Sequence, residues 1–395
     1  MKRMLTSLLL QLLGCLSPPK PGPQPQAKIQ RMIILRFGGI GDVIVLTGLI
    51  RTLRQMYPAA EISLVTDRTC AAVVERNPDL DRVIISGRIA LAASVPQNYR
   101  NFLAVRKLAS RPYDLAFFAH NDFHSLFFAF FLPARYKVGF DTNGRGFDFA
   151  LTHSVPIYSK SLALTKQHTS RHLNAHFHDL LWAFYGKEGS QSRPRVHVSN
   201  EELNQACDWL AQRGLGQPLV VFTLGGTEVV KRWPIDRFAT LARRCAQELG
   251  ATVLVLGGPE ERSFCGRFSQ LHPRISFAAG ALPLRDSMSL LKLADVVIGN
   301  DTGLIHAAAA LDIPTITIFG PTPSAVYGYE SSRSIIVKAD LPCLPCSQAS
   351  CLLLTPGAGS LTPPCLNAVS VNEVMAAVKK LLLHSAREKN LSHLR

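Results

Sequence analysis

The chain has 395 residues, more than one hydrophobic core usually serves, so two domains of roughly 150–200 residues are expected. Hydrophobic residues make up 47% and charged residues 18%, which excludes wholesale disorder. A net charge of +15 favours an anionic partner, either a phospholipid surface or a phosphorylated substrate. Nucleic acid is the weakest candidate, because zinc-finger spacing, RNP-type aromatic motifs and basic-helix runs are all lacking.

The first segment, MKRMLTSLLLQLLGCLSPP, carries Leu5, Leu8, Leu9, Leu12, Leu13 and Leu16 on one helical stripe behind Lys2 and Arg3. It falls short of the roughly 20 residues that span a bilayer. Three readings stand open: an arm lying in a membrane interface, a processed leader with a lipoprotein-like box at Leu12–Cys15, or a helix packed on the body. PPKPGPQPQ follows as a stiff Pro-rich tether.

Beyond the tether, β runs alternate with amphipathic helices. MIILRF reads as a strand, VIVLTGLIRTLRQMYP as a helix and EISLVTD as a strand. A helix around TCAAVVERNP, a strand DRVIIS, a helix near residues 99–110 and a strand DLAFFAH come next. HSLFFAFFLPA is a Phe-rich helix or buried segment, better explained by core packing than by contact with a lipid. HTSRHLNAHFHDLLWAFYG is a helix, and the polar KEGSQSRPR (187–195) marks a domain boundary.

The alternation then restarts with helix EELNQACDWLAQRG, strand PLVVFTLGG, helix DRFATLARRCAQELG and strand ATVLVLGG. Helix SMSLLKLAD, strand VVIGN, helix TGLIHAAAALD and strand TITIFG complete the series. Residues 340–366 read as irregular, and VNEVMAAVKKLLLH is a final amphipathic helix. The pattern is α/β with parallel sheets, organised as two Rossmann-like domains. The expected divisions are an arm and tether (1–27), a first domain (28–190), a second domain (191–366) and a C-terminal helix with basic tail (367–395).

In such sheets ligands bind beyond the carboxyl ends of the strands, so three turns matter. FGGIGDVIVLTG (37–48) has the turn glycines Gly39 and Gly41 but places Asp42 where a dinucleotide fingerprint continues towards its third glycine. LGGTEVVKRWP (224–234) puts glycines, Thr227 and Lys231 on one loop, a set that can hold phosphate oxygens without being a P-loop. VVIGNDTGLIHAAAALDIPTITIFGPT (296–322) opens a helix near Thr302, with Asp301 and Thr302 at capping positions and His306 one turn inward. A helix start of this kind receives anions, although Asp301 could equally serve as a simple cap.

Two other constellations read as structural. Asp79-Leu80-Asp81 leads into a strand rather than out of one. His168, His172, His176 and His178 lack a completing carboxylate or cysteine pattern. Nine cysteines fit buried thiols in a reducing compartment better than a disulfide framework. Cys343, Cys346, Cys351 and Cys365 supply four thiols that can bind zinc, although their spacing is not a regular knuckle, and metal binding there stays open.

Taken together, Arg36-x-x-x-x-Gly41-Asp42-Val43, Asn77-Pro-Asp-Leu-Asp-Arg-Val, Lys231-Arg-Trp-Pro, Gly257-Gly258-Pro259, Gly299-Asn-Asp-Thr-Gly-x-x-His306 and Phe319-Gly-Pro-Thr resemble glycosyltransferase family 9. That family comprises bacterial ADP-heptose:lipopolysaccharide heptosyltransferases. The resemblance covers about residues 30–380 and implies a GT-B fold, with an acceptor domain, a nucleotide-sugar domain and a cleft between them.

It also implies inverting, metal-independent transfer, with no cofactor and a nucleotide sugar, ADP-heptose, as co-substrate. Asp42 becomes the general base, and Lys231 offsets charge on the departing ADP, aided by Thr227 and the amides of Thr302 and Gly303. Asp301 and His306 shape the donor pocket, and Glu261 or its neighbour Glu260 bonds the ribose. The implied acceptor is a lipid-linked anionic oligosaccharide, met in the cytoplasm at the inner-membrane surface. His172-Leu-Asn-Ala-His176 stands where the family reads His-Glu-x-Glu-Arg, which leaves acceptor and sugar open. Two alternatives remain: a GT-B transferase for another nucleotide sugar, and a non-catalytic nucleotide-sugar-binding assembly protein.

Overall fold

The computed structural model describes residues 20–86, 103, 107, 111–120, 129–141, 150–156, 171–226, 228–268, 270–346, 350–351, 353 and 362–392. The leucine-striped arm, Thr227, most of the expected helix near residues 99–110 and residues 124–128 of the Phe-rich segment lie outside those residues. By its contacts the chain divides into two units, Met1–Leu162 with Leu173–Pro194 and Ala163–His172 with Arg195–Arg395.

The first unit is built on strands β1 (Arg31–Leu35), β2 (Glu61–Thr66), β3 (Arg82–Ile85), β4 (Tyr113–Phe118), β5 (Ala134–Asp141) and β6 (His153–Pro156). They pair in the order β3-β2-β1-β4-β5-β6, all parallel. Inner strands such as β1 are buried along almost their whole length, as expected for a parallel sheet covered on both faces. Helix α1 (Ile40–Met56) follows β1 and buries every residue from Val43 to Ile50, so the helix is enclosed rather than surface-lying. Helix α2 (Arg68–Val74) follows β2 and is capped by Asp67.

Helix α3 (Leu173–Tyr185) packs on α1, where the fully buried His178 meets Thr52 Oγ1 at 2.8 Å and the Asn174 carbonyl at 2.7 Å. Burial lowers the pKa of His178 and so favours its neutral form. Asp179 Oδ2 lies 3.4 Å from His176 Nδ1. The sequence alone suggested no such partner, yet the pair stays a local i,i+3 contact.

The second unit has strands β7 (Leu219–Thr223), β8 (Thr252–Leu256), β9 (Ile275–Phe277), β10 (Val296–Asn300), β11 (Thr315–Phe319) and β12 (Ser334–Lys338). Their parallel order, β12-β11-β10-β7-β8-β9, repeats that of the first sheet. Around it lie α4 (Asn200–Ala211), α5 (Ile235–Glu248), α6 (Leu284–Lys292), α7 (Gly303–Ala310), α8 (Ser324–Tyr327), α9 (Pro364–Ala368) and α10 (Val371–Ser392). A capping box opens α10, with the Ser370 amide donating to Glu373 and the Glu373 amide to Ser370 Oγ. The helix then buries Val374, Val378 and Leu381 in the core that holds Phe222, Trp233, Phe238 and Ile298. Among the described residues no helix is long and apolar enough to cross a membrane.

Candidate active site

Strand order reverses between β1 and β4 in the first sheet and between β7 and β10 in the second, the points where open α/β sheets bind ligands. Both points carry predicted site residues.

At the first, β1 runs out into Arg36-Phe37-Gly38-Gly39. Gly39 takes φ 71°, a left-handed conformation natural to glycine, and starts α1 without a side-chain cap. Gly41 and Asp42 fall in the first turn of α1, where the helix dipole favours a carboxylate. A Cβ at residue 39 would stand 2.6 Å from Asp42 Oδ2, so the glycine also makes room for the carboxylate. That oxygen is ion-paired with Arg36 Nη2, while Asp42 keeps 31% of its side chain exposed. The Gly38 amide donates to Asp67 Oδ2 at 2.6 Å, and Asp67 Oδ1 accepts from the Cys70 amide at 3.1 Å. Burial alone would raise the Asp67 carboxyl, but the Cys70 and Gly38 amides outweigh it and hold it below the usual range.

At the second switch point Asn300, fully buried at the end of β10, spans the gap to the loop after β7. Its Nδ2 donates to the Leu224 and Gly225 carbonyls at 2.7 and 3.0 Å, and its Oδ1 accepts from the Trp233 amide at 2.9 Å. One side chain thus fixes the glycine loop and the Lys231-Arg-Trp-Pro segment together. Asn300 lay inside the recognised motif without an assigned role. Its signal was an amide closing an otherwise apolar strand.

Asp301 does not cap α7. Its Oδ1 lies 3.2 Å from His306 Nε2, and its Oδ2 accepts from Thr322 Oγ1 at 2.9 Å. Burial pushes the Asp301 carboxyl up, but the bond and charge of His306, the charge of Lys231 and the Thr322 hydroxyl together hold it low. Asp301, His306 and Lys231 therefore belong to one electrostatic group. Tyr329, absent from the sequence expectation, places its hydroxyl 3.4 Å from His306 Nδ1. The ring of His172, which clusters with this unit, lies 5.0 Å from that of Tyr329. Thr302 occupies the cap position of α7 without a side-chain cap bond, and its Oγ1 is buried with no partner among the described residues. A buried hydroxyl and the amides from Gly303 onward thus await an acceptor at a helix start.

Lys231 closes a short 3-10 turn, Val229–Lys231, with Nζ 3.4 Å from Glu228 Oε2. Glu261 is buried, its Oε2 accepting from the Gly258 amide at 2.6 Å. Its Oε1 lies 2.8 Å from where a Cβ on Gly225 would stand, so glycine there admits the carboxylate. Burial, then the charge of Glu260, raises the Glu261 carboxyl. Of the two glutamates considered, Glu261 is the one facing the β7 loop.

The sequence singled out two further clusters. Asp81 binds Arg54 at 2.6 Å and the Ile62 amide at 2.7 Å, pinning α1 and β2. Cys343, Cys346, Cys351 and Cys365 line one cavity of about 20 Å³. Among the described residues, however, no group of three or more His, Cys, Asp or Glu is arranged to hold a metal ion.

The sequence profile of glycosyltransferase family 9 (heptosyltransferase) matches residues 103–355, more than half of the chain. The chain belongs to glycosyltransferase family 9. It is therefore a glycosyltransferase, and the doubled sheet is its GT-B fold. Lipopolysaccharide heptosyltransferase 2 of Salmonella typhimurium is 24% identical over 309 residues, 74% of this chain and 83% of that protein. Lipopolysaccharide heptosyltransferase 1 of Pseudomonas aeruginosa is 34% identical over 148 residues, only 36% of this chain and 40% of that protein. Among solved structures, the ADP-heptose lps heptosyltransferase II of E. coli superposes with TM-score 0.71 at 19% identity, covering 91% of this chain and 100% of that one.

Proposed function

We propose that this family 9 enzyme transfers heptose from ADP-heptose to a lipid A-linked lipopolysaccharide inner-core acceptor, with inversion and without a metal. The names of the similar proteins support the donor and the acceptor class. The observation that carries the reading is the start of α7. Gly303 amides, the unpartnered Thr302 hydroxyl and the neighbouring Lys231 offer an anion the donors and charge that a departing diphosphate needs.

The second unit takes the nucleotide sugar. Lys231 and the α7 amides, aided by Thr227, offset charge as ADP leaves, and Glu261 bonds the ribose. Asp301 stays ionised and fixes His306, and the two shape the donor pocket. The first unit takes the acceptor, whose hydroxyl loses its proton to Asp42 on the Gly39–Gly41 turn. Attack on the anomeric carbon by that oxygen forms the new glycosidic bond as the sugar–phosphate bond breaks, and Asp42 carries away the proton. Fixed donors replace a divalent ion in this scheme. The basic chain works in the cytoplasm at the inner-membrane surface, where an anionic lipid-linked acceptor is presented.

The test is transfer itself. ADP-heptose with a lipid A-linked inner-core acceptor is expected to release ADP and add one heptose in mass, with EDTA leaving the rate unchanged. Asp42→Asn should lower kcat by about 10²–10⁴-fold while ADP affinity by calorimetry stays as in the wild type. Turnover with UDP- or GDP-sugars instead would establish the transferase of another nucleotide sugar, and binding without any turnover would establish the assembly protein.

A further inference from the structure

We propose that Arg36 is a positioning residue for Asp42, holding the carboxylate so that one oxygen is anchored and the other is presented to the acceptor hydroxyl. This rests on the reading of Asp42 as the base. Arg36 is the first residue beyond β1, and its amide is fixed to the Val65 carbonyl of β2 at 3.0 Å. Its guanidinium reaches across the switch point, where Nη1 donates to the carbonyl of Ala119, just beyond β4, at 2.6 Å. Nη2 holds Asp42 Oδ2, and the ring of Phe177 on α3 stands 5.6 Å from the guanidinium carbon. With 12% of its side chain exposed, Arg36 is clamped by two strand ends and an aromatic wall.

Asp42 is the more exposed member of this pair. Its Oδ2 is confined between the Arg36 fork and the space that Gly39 leaves empty. Among the described residues no donor reaches Oδ1. A carboxylate on an exposed first helical turn rotates freely. Anchoring one oxygen removes that freedom before the substrate arrives and leaves the second oxygen in one direction. Arginine suits the task because its planar fork addresses the Ala119 carbonyl and the carboxylate at once, whereas a lysine ammonium is a point charge on a flexible stem. Asp67 supports the same turn from the other side through the Gly38 amide.

The experiment measures initial rates of the full chain with ADP-heptose and the lipid A-linked acceptor for Arg36→Ala, Arg36→Lys, Asp42→Asn and the Ala/Asn double variant. Arg36→Ala is expected to lose about 100-fold in kcat, the scale of an ångström-sized misplacement of a reacting group. Both KM values should stay within roughly twofold, because no binding contact is removed. Guanidinium ion in the buffer should restore part of the loss. The double variant should be no slower than Asp42→Asn alone, since Arg36 acts only through Asp42.

Wild-type kcat in Arg36→Ala overturns the proposal. So does a rise in acceptor KM at constant kcat, which would make Arg36 a direct acceptor contact, and so does a multiplicative loss in the double variant. If Arg36→Ala fails to fold in thermal melts, Arg36→Lys decides, with reduced kcat at unchanged KM expected and full kcat overturning. Full turnover by Asp42→Asn is a separate result that removes Asp42 as the base whatever the Arg36 variants do.

Discussion

Each switch point is organised by one polar side chain that reaches across it. Arg36 joins the ends of β1 and β4, and Asn300 joins the end of β10 to the loop after β7. The residue proposed to act stands beside the clamp, Asp42 in one unit and Lys231 in the other. Lys231 differs from Asn300 in what its loss should cost. It pairs with the partly exposed Glu228 at 3.4 Å, a contact that contributes little to folding, and its charge also helps hold Asp301 ionised. Lys231→Ala should therefore lower the melting temperature only modestly while kcat falls by about 10²–10³-fold, the scale of removing one donor from developing charge. Unchanged kinetics would take Lys231 out of the leaving-group role. The sequence displayed Lys231, Asp301 and His306 because their types and spacing are distinctive. Tyr329 stayed hidden, because a tyrosine more than 20 positions from its partner leaves no local trace.

Elements show the same division between what is local and what is not. All the inner strands but β5, namely β1, β2, β4, β7, β8, β10 and β11, read as short apolar runs, since both faces are covered. The strands the sequence left unread, β5, β6, β9 and β12, are the two nearest one edge of the first sheet and both edges of the second. ARYKVGFD, HSVP and ISF carry weaker or shorter patterns, and their pairing depends on neighbours far along the chain. Helix pairing has a comparable non-local anchor. Arg285 of α6 grips Glu202 of α4 through Nε and Nη2 at 2.8 and 2.6 Å, while Glu202 also closes the capping box with Ser199. The Arg285 bond, against the cost of burial, draws the Glu202 carboxyl down to about 2. A depressed carboxylate stabilises the fold above its unfolded value, 4.5, and loses that contribution as pH falls towards about 2. Glu202→Gln, which keeps the capping box, should cost about 1–3 kcal/mol at neutral pH. In urea unfolding that difference from the wild type should shrink steadily as pH drops below 4.5, and a difference independent of pH would remove the ion pair as its source.

At the scale of the whole molecule, one strand order serves twice, and the two copies have been given opposite chemistry. The first sheet's switch point presents a carboxylate, suited to taking a proton and unsuited to phosphate. The second presents a helix start, a lysine and an unpartnered hydroxyl, suited to phosphate. Nucleotide should consequently be felt by one unit alone. With ADP at 100 times its Kd, the bound state gains about 2.7 kcal/mol over the unbound one. Amide hydrogen exchange should then slow around Gly225, Lys231 and Gly303, while Gly38–Val43 exchanges as it does without nucleotide. Deoxy-ADP, lacking a ribose hydroxyl, should protect the α7 start but relax protection near Gly258, where Glu261 is held. Protection of the Gly38–Val43 turn by ADP would reverse the division of labour. It would make the first glycine turn a phosphate site after all, with Asp42 no longer free to face an acceptor.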